Sequence, residues 1–257
     1  MSTADRFAQE TTNAANALGE AHSVLAGLAH GYTAGAAVQD PAYLAHTLSE
    51  LRLAASQVEF ILAGLYRRAT RAAGQDTYPA PVRELTAAIA VGLRNAHAQA
   101  HTAWHELEQV EDHAAAINTA ARTGAHPTRS AAADRFAAEA GHAVNALGAA
   151  HTILAGLSQR EYGGRAVLDA EILAHAVSRL REVTASLELI LHIAARHTHQ
   201  AGATQDYPDA VGEWVASLAT ALTTASAAAR ATTRVLRRLE NQAAQLRTAT
   251  AGTHFSL

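Results

Sequence analysis

The chain has 257 residues, of which 17% are charged and 5% aromatic, with a formal net charge of −3 and no cysteine. The missing cysteines exclude disulfides, thiolate metal sites and cysteine nucleophiles together. The slightly acidic balance excludes a surface built to coat nucleic acid. Lysine is absent too, so every fixed cation is an arginine, and alanine dominates the composition. GC-rich bacterial codon usage produces this bias, and it favours helix, because alanine has the best intrinsic helix propensity.

The opening, MSTADRFAQE, carries neither the basic segment nor the apolar run of a secretory signal. No stretch approaches about eighteen strongly apolar residues, the length a membrane span needs. A cytoplasmic protein without a membrane span is expected.

In the first predicted helix, Phe7, Ala14, Leu18, Ala21, Leu25 and Leu28 follow steps mostly of three and four. Such steps draw one apolar seam along a helix. Gly31 and Gly35 then precede Asp40-Pro41, which reads as an N-cap followed by proline at the first helical position. The second helix repeats the seam with Leu44, Leu48, Leu51, Ala55, Val58, Leu62 and Leu65, and the stretch from Gly74 to Pro81 ends it. A third helix follows, and RTGAHPTRS, Arg122 to Ser130, is the link beyond it.

After the link the pattern begins again. Ala4 aligned with Ala133 gives 17 identities in 25 positions, and NALGEAHSVLAGL returns as NALGAAHTILAGL. The seam returns with it, as Phe136, Ala143, Leu147, Ala150, Leu154 and Leu157. LAHTLSELR at Leu44 returns as LAHAVSRLR at Leu173, and Tyr78-Pro79 returns as Tyr207-Pro208. Gly163-Gly164 and Asp169 again mark a helix start, and Gly202 to Pro208 a helix end. The last helix has the clearest seam: Val211, Val215, Leu218, Leu222, Ala225, Ala229, Leu236, Leu239 and Leu246.

The expected fold is all-α: a tandem duplication of a long, Ala-rich three-helix bundle, six helices about a pseudo-two-fold axis. The units are residues 1–124 and 125–257. Helices of 28 to 40 residues would run roughly 40–60 Å at about 1.5 Å per residue. Gly19 and Gly27, recurring as Gly148 and Gly156, each cost about 1 kcal/mol in a helix interior. Close approach of a neighbouring helix is the expected reason.

Polar residues found in both halves are the candidates for function. They are Asn16/Asn145, His22/His151, His46/His175, Arg52/Arg181, Glu59/Glu188 and Tyr78/Tyr207. Of these, His22, His151, Arg52, Arg181, Glu59 and Glu188 are the binding candidates. Flanking the seam, they suit a half-buried Arg–Glu–His network that fixes helix register. The functional counterpart is a pair of equivalent anion or metal pockets.

His97, His101 and His105 stand at steps of four, followed by Glu108 and Asp112. One helix face carries them, and His97, His101, His105 and Glu108 are the metal candidates. Three histidines over two turns cannot all reach one ion, and the second half has Ser226, Arg230 and Arg234 there. No cofactor is required by the sequence, and a divalent metal is the one class left open.

Arg230, Arg234, Arg237, Arg238 and Arg247 line part of the last helix. With Glu240 nearby and no interleaved aromatics, a solvated face is expected, and nucleic acid is not an expected partner. Phosphate loops, nucleophile elbows and zincin motifs are all missing. The expected function is therefore non-enzymatic: a helical bundle acting by protein–protein interaction or self-association, as a scaffold or regulatory adaptor. The alternative is a metal- or small-ligand-binding bundle that uses the His-rich third helix.

Overall fold

The computed structural model describes residues 3–30, 41–74, 78–122, 135, 138–149, 152, 170–204 and 209–250. Among them every element is helical, and no strand occurs. The named helices are α1 (Thr3–His30), α2 (Pro41–Ala73), α3 (Ala80–Gln109), α4 (Glu111–Arg122), α5 (Ala170–Thr204) and α6 (Asp209–Thr250). A further helical stretch covers 138–149. No helix among the described residues is long and apolar enough to cross a membrane.

The seams are buried as their spacing requires. Leu18, Ala21, Leu25 and Leu28 of α1 are core residues, as are Leu48, Leu51, Ala55, Val58, Leu62 and Leu65 of α2. Every predicted seam position of α6, from Val211 to Leu246, is buried. Where the first seam's spacing recurs, Ala143 and Leu147 are buried, and Phe136, Ala150, Leu154 and Leu157 lie outside the described residues. Full burial of a leucine side chain is worth about 1.5–3 kcal/mol, so these seams dominate the stability.

Helix ends follow local chemistry. Proline opens α2 at Pro41, and α2 closes at Gly74, whose N–H donates to the Arg71 carbonyl at 3.2 Å. The predicted caps at Asp40, Ser130 and Asp169 lie outside the described residues. Pro79 precedes α3 with φ −56° and ψ 147°, and its carbonyl accepts from Val82 and Arg83 at 3.0 and 3.1 Å. The third predicted helix is not continuous. It breaks at Val110, where φ is −105° and ψ 1°. Glu111 and Asp112 then occupy the first turn of α4, where carboxylates meet the positive end of the helix dipole. Its counterpart α6 runs unbroken for 42 residues, about 63 Å.

Packing does not sort the helices by halves of the chain. The central contact joins α3 to α6, with α2 laid on α3 and α5 on α6. The short α4 fills in against α2 and α6. Among the named helices α1 packs on α5, and not on α2 that follows it. Gly19 of α1 faces Arg179 of α5, while Gly141 in the 138–149 stretch faces Glu50 of α2. The boundary near 124/125 thus marks a division in sequence that the packing crosses in both directions.

The recurrent glycines do not mark the close approaches. Among the described residues a Cβ at Gly19 would come no nearer than 3.9 Å to another group, and at Gly27 and Gly148 nothing lies within 4 Å. Gly156 is outside the described residues. A tight crossing is found elsewhere, at Gly92, where a Cβ would run into Leu239 Cδ2 and lie 3.0 Å from Leu239 Cγ. There the central helices α3 and α6 meet with no room for a methyl group.

Candidate functional site

Four of the binding candidates, Arg52, Glu59, Arg181 and Glu188, lie half-buried on α2 and α5, and each reaches across to another helix. Arg52 of α2 pairs with Glu111 of α4, Nε to Oε2 2.8 Å. Arg181 of α5 pairs with Glu240 of α6, also Nε to Oε2 at 2.8 Å. Both partners are displaced by the same 129 positions. In each pair the Nε is close to the oxygen, yet it satisfies no directed hydrogen bond. The contact is Coulombic, with the N–H pointed aside. Arg181 also lies 3.7 Å from Glu182, which Arg179 holds at 2.8 Å.

Glu59 and Glu188 form the second matched level. Glu188 Oε1 accepts from Arg230 Nε of α6 at 2.7 Å, over a separation of 42 residues. Glu59 Oε1 meets His101 Nδ1 of α3 at 3.0 Å, again 42 residues away, and His97 Nε2 at 3.4 Å. His97 corresponds to Ser226, whose hydroxyl donates to the Glu188 carbonyl at 3.3 Å. Arg52, Glu59, Arg181 and Glu188 are thus held in separate cross-helix pairs, with partners outside the Arg–Glu–His network expected from sequence. Arg52 and Glu59 lie on one stripe of α2 and serve different helices.

The His-rich face of α3 divides in two. His97 and His101 converge on Glu59, whose side chain is only 12% exposed. His105 turns to its own helix, with Nδ1 3.6 Å from Glu108 Oε2 and Nε2 2.9 Å from Gln109 Nε2. The rings of His101 and His105 are parallel within 2° at 6.2 Å, and Trp104 lies against both at 5.2 and 6.3 Å. Asp112 falls beyond the break at Val110, on α4. Among the described residues no three His, Asp or Glu side chains are gathered as a ligand set for one ion. The four metal candidates do not form one centre.

Of the remaining candidates, His22 is half-buried in α1, and its buried Nδ1 has no hydrogen-bond partner among the described residues. His151 lies outside the described residues, as do the His46 side chain and Tyr207. His175, Asn16 and Asn145 are exposed. Tyr78 is buried. Arg68, near the end of α2, is half-buried, and desolvation lowers its pKa from the usual arginine range.

Glu111 and Glu240 were not candidates from sequence, although they too recur 129 positions apart. That recurrence was the available signal. A buried pair has no counterpart in the first half. Thr233 Oγ1 donates to Thr184 Oγ1 at 3.1 Å, between α6 and α5, where positions 55 and 104 hold Ala and Trp. No protein-family model, curated protein or solved structure matches the chain.

Proposed function

We propose that the chain is a tandem duplication of a three-helix unit about a pseudo-two-fold axis. We further propose that it works without chemistry of its own, binding a protein partner or a second copy of itself. The matched cross-helix pairs support the duplication: Arg52–Glu111 with Arg181–Glu240, and Glu59–His101 with Glu188–Arg230. Equal spans in the two halves are what repeated helix pairs packed in one register produce.

One observation carries the binding reading. Phe60 and Leu189 are large apolar side chains 47% and 38% exposed, at matching positions of α2 and α5. Each follows directly on a carboxylate held in a cross-helix contact, Glu59 or Glu188. The exposed positions are thus mounted on helix faces whose register is fixed. Rigid apolar anchors on a helix face are what a partner helix docks on. Long helices and mixed charge fit a scaffold or adaptor role better than a solvent-excluded reaction site.

A photo-crosslinking residue placed at 60 or at 189 in the source cell tests this. Crosslinks to another protein, or to a second copy, are expected at both positions and not at exposed Arg94. The double change Phe60→Ser and Leu189→Ser should remove the complex while shifting stability by no more than about 0.5 kcal/mol. Crosslinking no stronger at 60 and 189 than at 94 would overturn the proposal.

A further inference from the structure

The proton positions along α3 follow from its neighbours. An ionised carboxylate only accepts hydrogen bonds. His101 Nδ1, 3.0 Å from Glu59 Oε1, therefore carries the proton and leaves a lone pair on Nε2. His105 is fixed in the same sense. Gln109 Nε2 is a donor, so His105 Nε2 at 2.9 Å accepts, and Nδ1–H lies toward Glu108 at 3.6 Å. His97 is the reverse, with Nε2 toward Glu59 at 3.4 Å.

Two neighbouring imidazoles one helical turn apart thus share one tautomer. Each has a carboxylate on the Nδ1 side, Glu59 at 3.0 Å from His101 and Glu108 at 3.6 Å from His105, a lone pair on Nε2, and about half of its side-chain surface exposed (52% and 51%). A carboxylate behind the imidazole is the arrangement that orients metal-binding histidines and raises their basicity.

We propose that His101 and His105 form a two-point chelate, through their Nε2 atoms, for an imidazole-preferring divalent transition cation of the zinc, nickel or copper type. The inference is independent of the protein-binding reading. Imidazole suits these ions, whereas magnesium and calcium take oxygen ligands. Ligand bonds of about 2.0–2.1 Å place two cis nitrogens about 3 Å apart. The parallel rings, 6.2 Å between centroids, tilt toward one another on capture, and Gln109 swings aside. Water fills the remaining positions. Glu59 holds the His101 imidazole and does not ligate, Glu108 lies beside His105 at 3.6 Å, and His97 takes no part. The second half has Arg230 and Arg234 at these positions, so one ion is bound per chain.

Trp104, with its ring 5.2 Å from that of His101, reports binding. Tag-free protein carrying Trp214→Phe, so that Trp104 is the one emitter, is titrated with nickel, which quenches nearby indole fluorescence. Saturable quenching at one equivalent is expected, reversed by excess zinc. His101→Ala and His105→Ala should each weaken it at least about tenfold, while His97→Ala stays within about twofold. Glu59→Gln keeps the acceptor and removes its charge, and should weaken binding about tenfold. Circular dichroism of each variant verifies the fold. Non-saturating quenching, an unchanged titration in His101→Ala or His105→Ala, or an equal loss in His97→Ala would overturn the proposal.

Discussion

Gly92 and Gly27 are both helical glycines, and their surroundings give them opposite consequences. At Gly92 a methyl group would collide with the buried Leu239 side chain, at its Cγ as well as its tip. Overpacking of this kind costs about 1–3 kcal/mol, against about 1 kcal/mol gained in helix propensity. Gly92→Ala should therefore lower the unfolding free energy in urea, and Leu239→Ala in the same chain should recover part of the clash. Gly27→Ala adds a methyl into open space and should raise stability by up to about 1 kcal/mol. Recurrence in the sequence singles out Gly19, Gly27, Gly148 and Gly156 and misses Gly92. Recurrence is a property of the sequence alone, while close approach depends on which helix arrives from elsewhere in the chain. At Thr184 and Thr233 the matching positions differ in kind, and a two-fold expectation cannot find the bond between them. Changing both to valine removes a donor and its acceptor together. That pair of changes should be nearly neutral in a double-mutant cycle, and either alone should cost no more than about 1.5 kcal/mol, because the hydroxyl left behind keeps a backbone acceptor, the Arg181 carbonyl for Thr184 at 3.1 Å or the Ala229 carbonyl for Thr233 at 3.0 Å.

Seams and caps made the helices legible one at a time. The spacing from Leu48 to Leu65 and from Val211 to Leu246 states which face is buried, and those faces are buried. It does not state against what. A seam of leucine and alanine is compatible with any similar seam, so α1 carries nothing local that directs it to α5 instead of α2. The ion pairs hold register more than they add stability. Arg52 and Glu111 are 24% and 35% exposed, and pairs at that level contribute about 0–1 kcal/mol. Arg52→Ala and Arg181→Ala should each cost less than about 1 kcal/mol in chemical denaturation, whereas Leu62→Ala, from a fully buried seam position, should cost about 2–5 kcal/mol. The break at Val110 has a partial sequence sign in Glu111-Asp112. Leu239-Glu240-Asn241 carries one charge fewer at the same place, and α6 continues through it.

For the whole molecule, the α1–α5 and α3–α6 contacts join the first half of the chain to the second. Two self-contained bundles would melt independently, whereas halves joined through their central helices melt together. Calorimetry should give one transition, with the van't Hoff enthalpy equal to the calorimetric one. Two resolved transitions would be the outcome for bundles that merely touch. The docking of α1 on α5 also has a consequence for synthesis. Ribosomes add roughly 5–20 residues per second, and α5, on which α1 packs, ends only at Thr204. An apolar stripe made first must then wait roughly 10 to 30 s for its seat. During that interval the nascent chain needs shelter from its neighbours on the same messenger, and slowing translation ahead of α5 should lower the yield of folded protein.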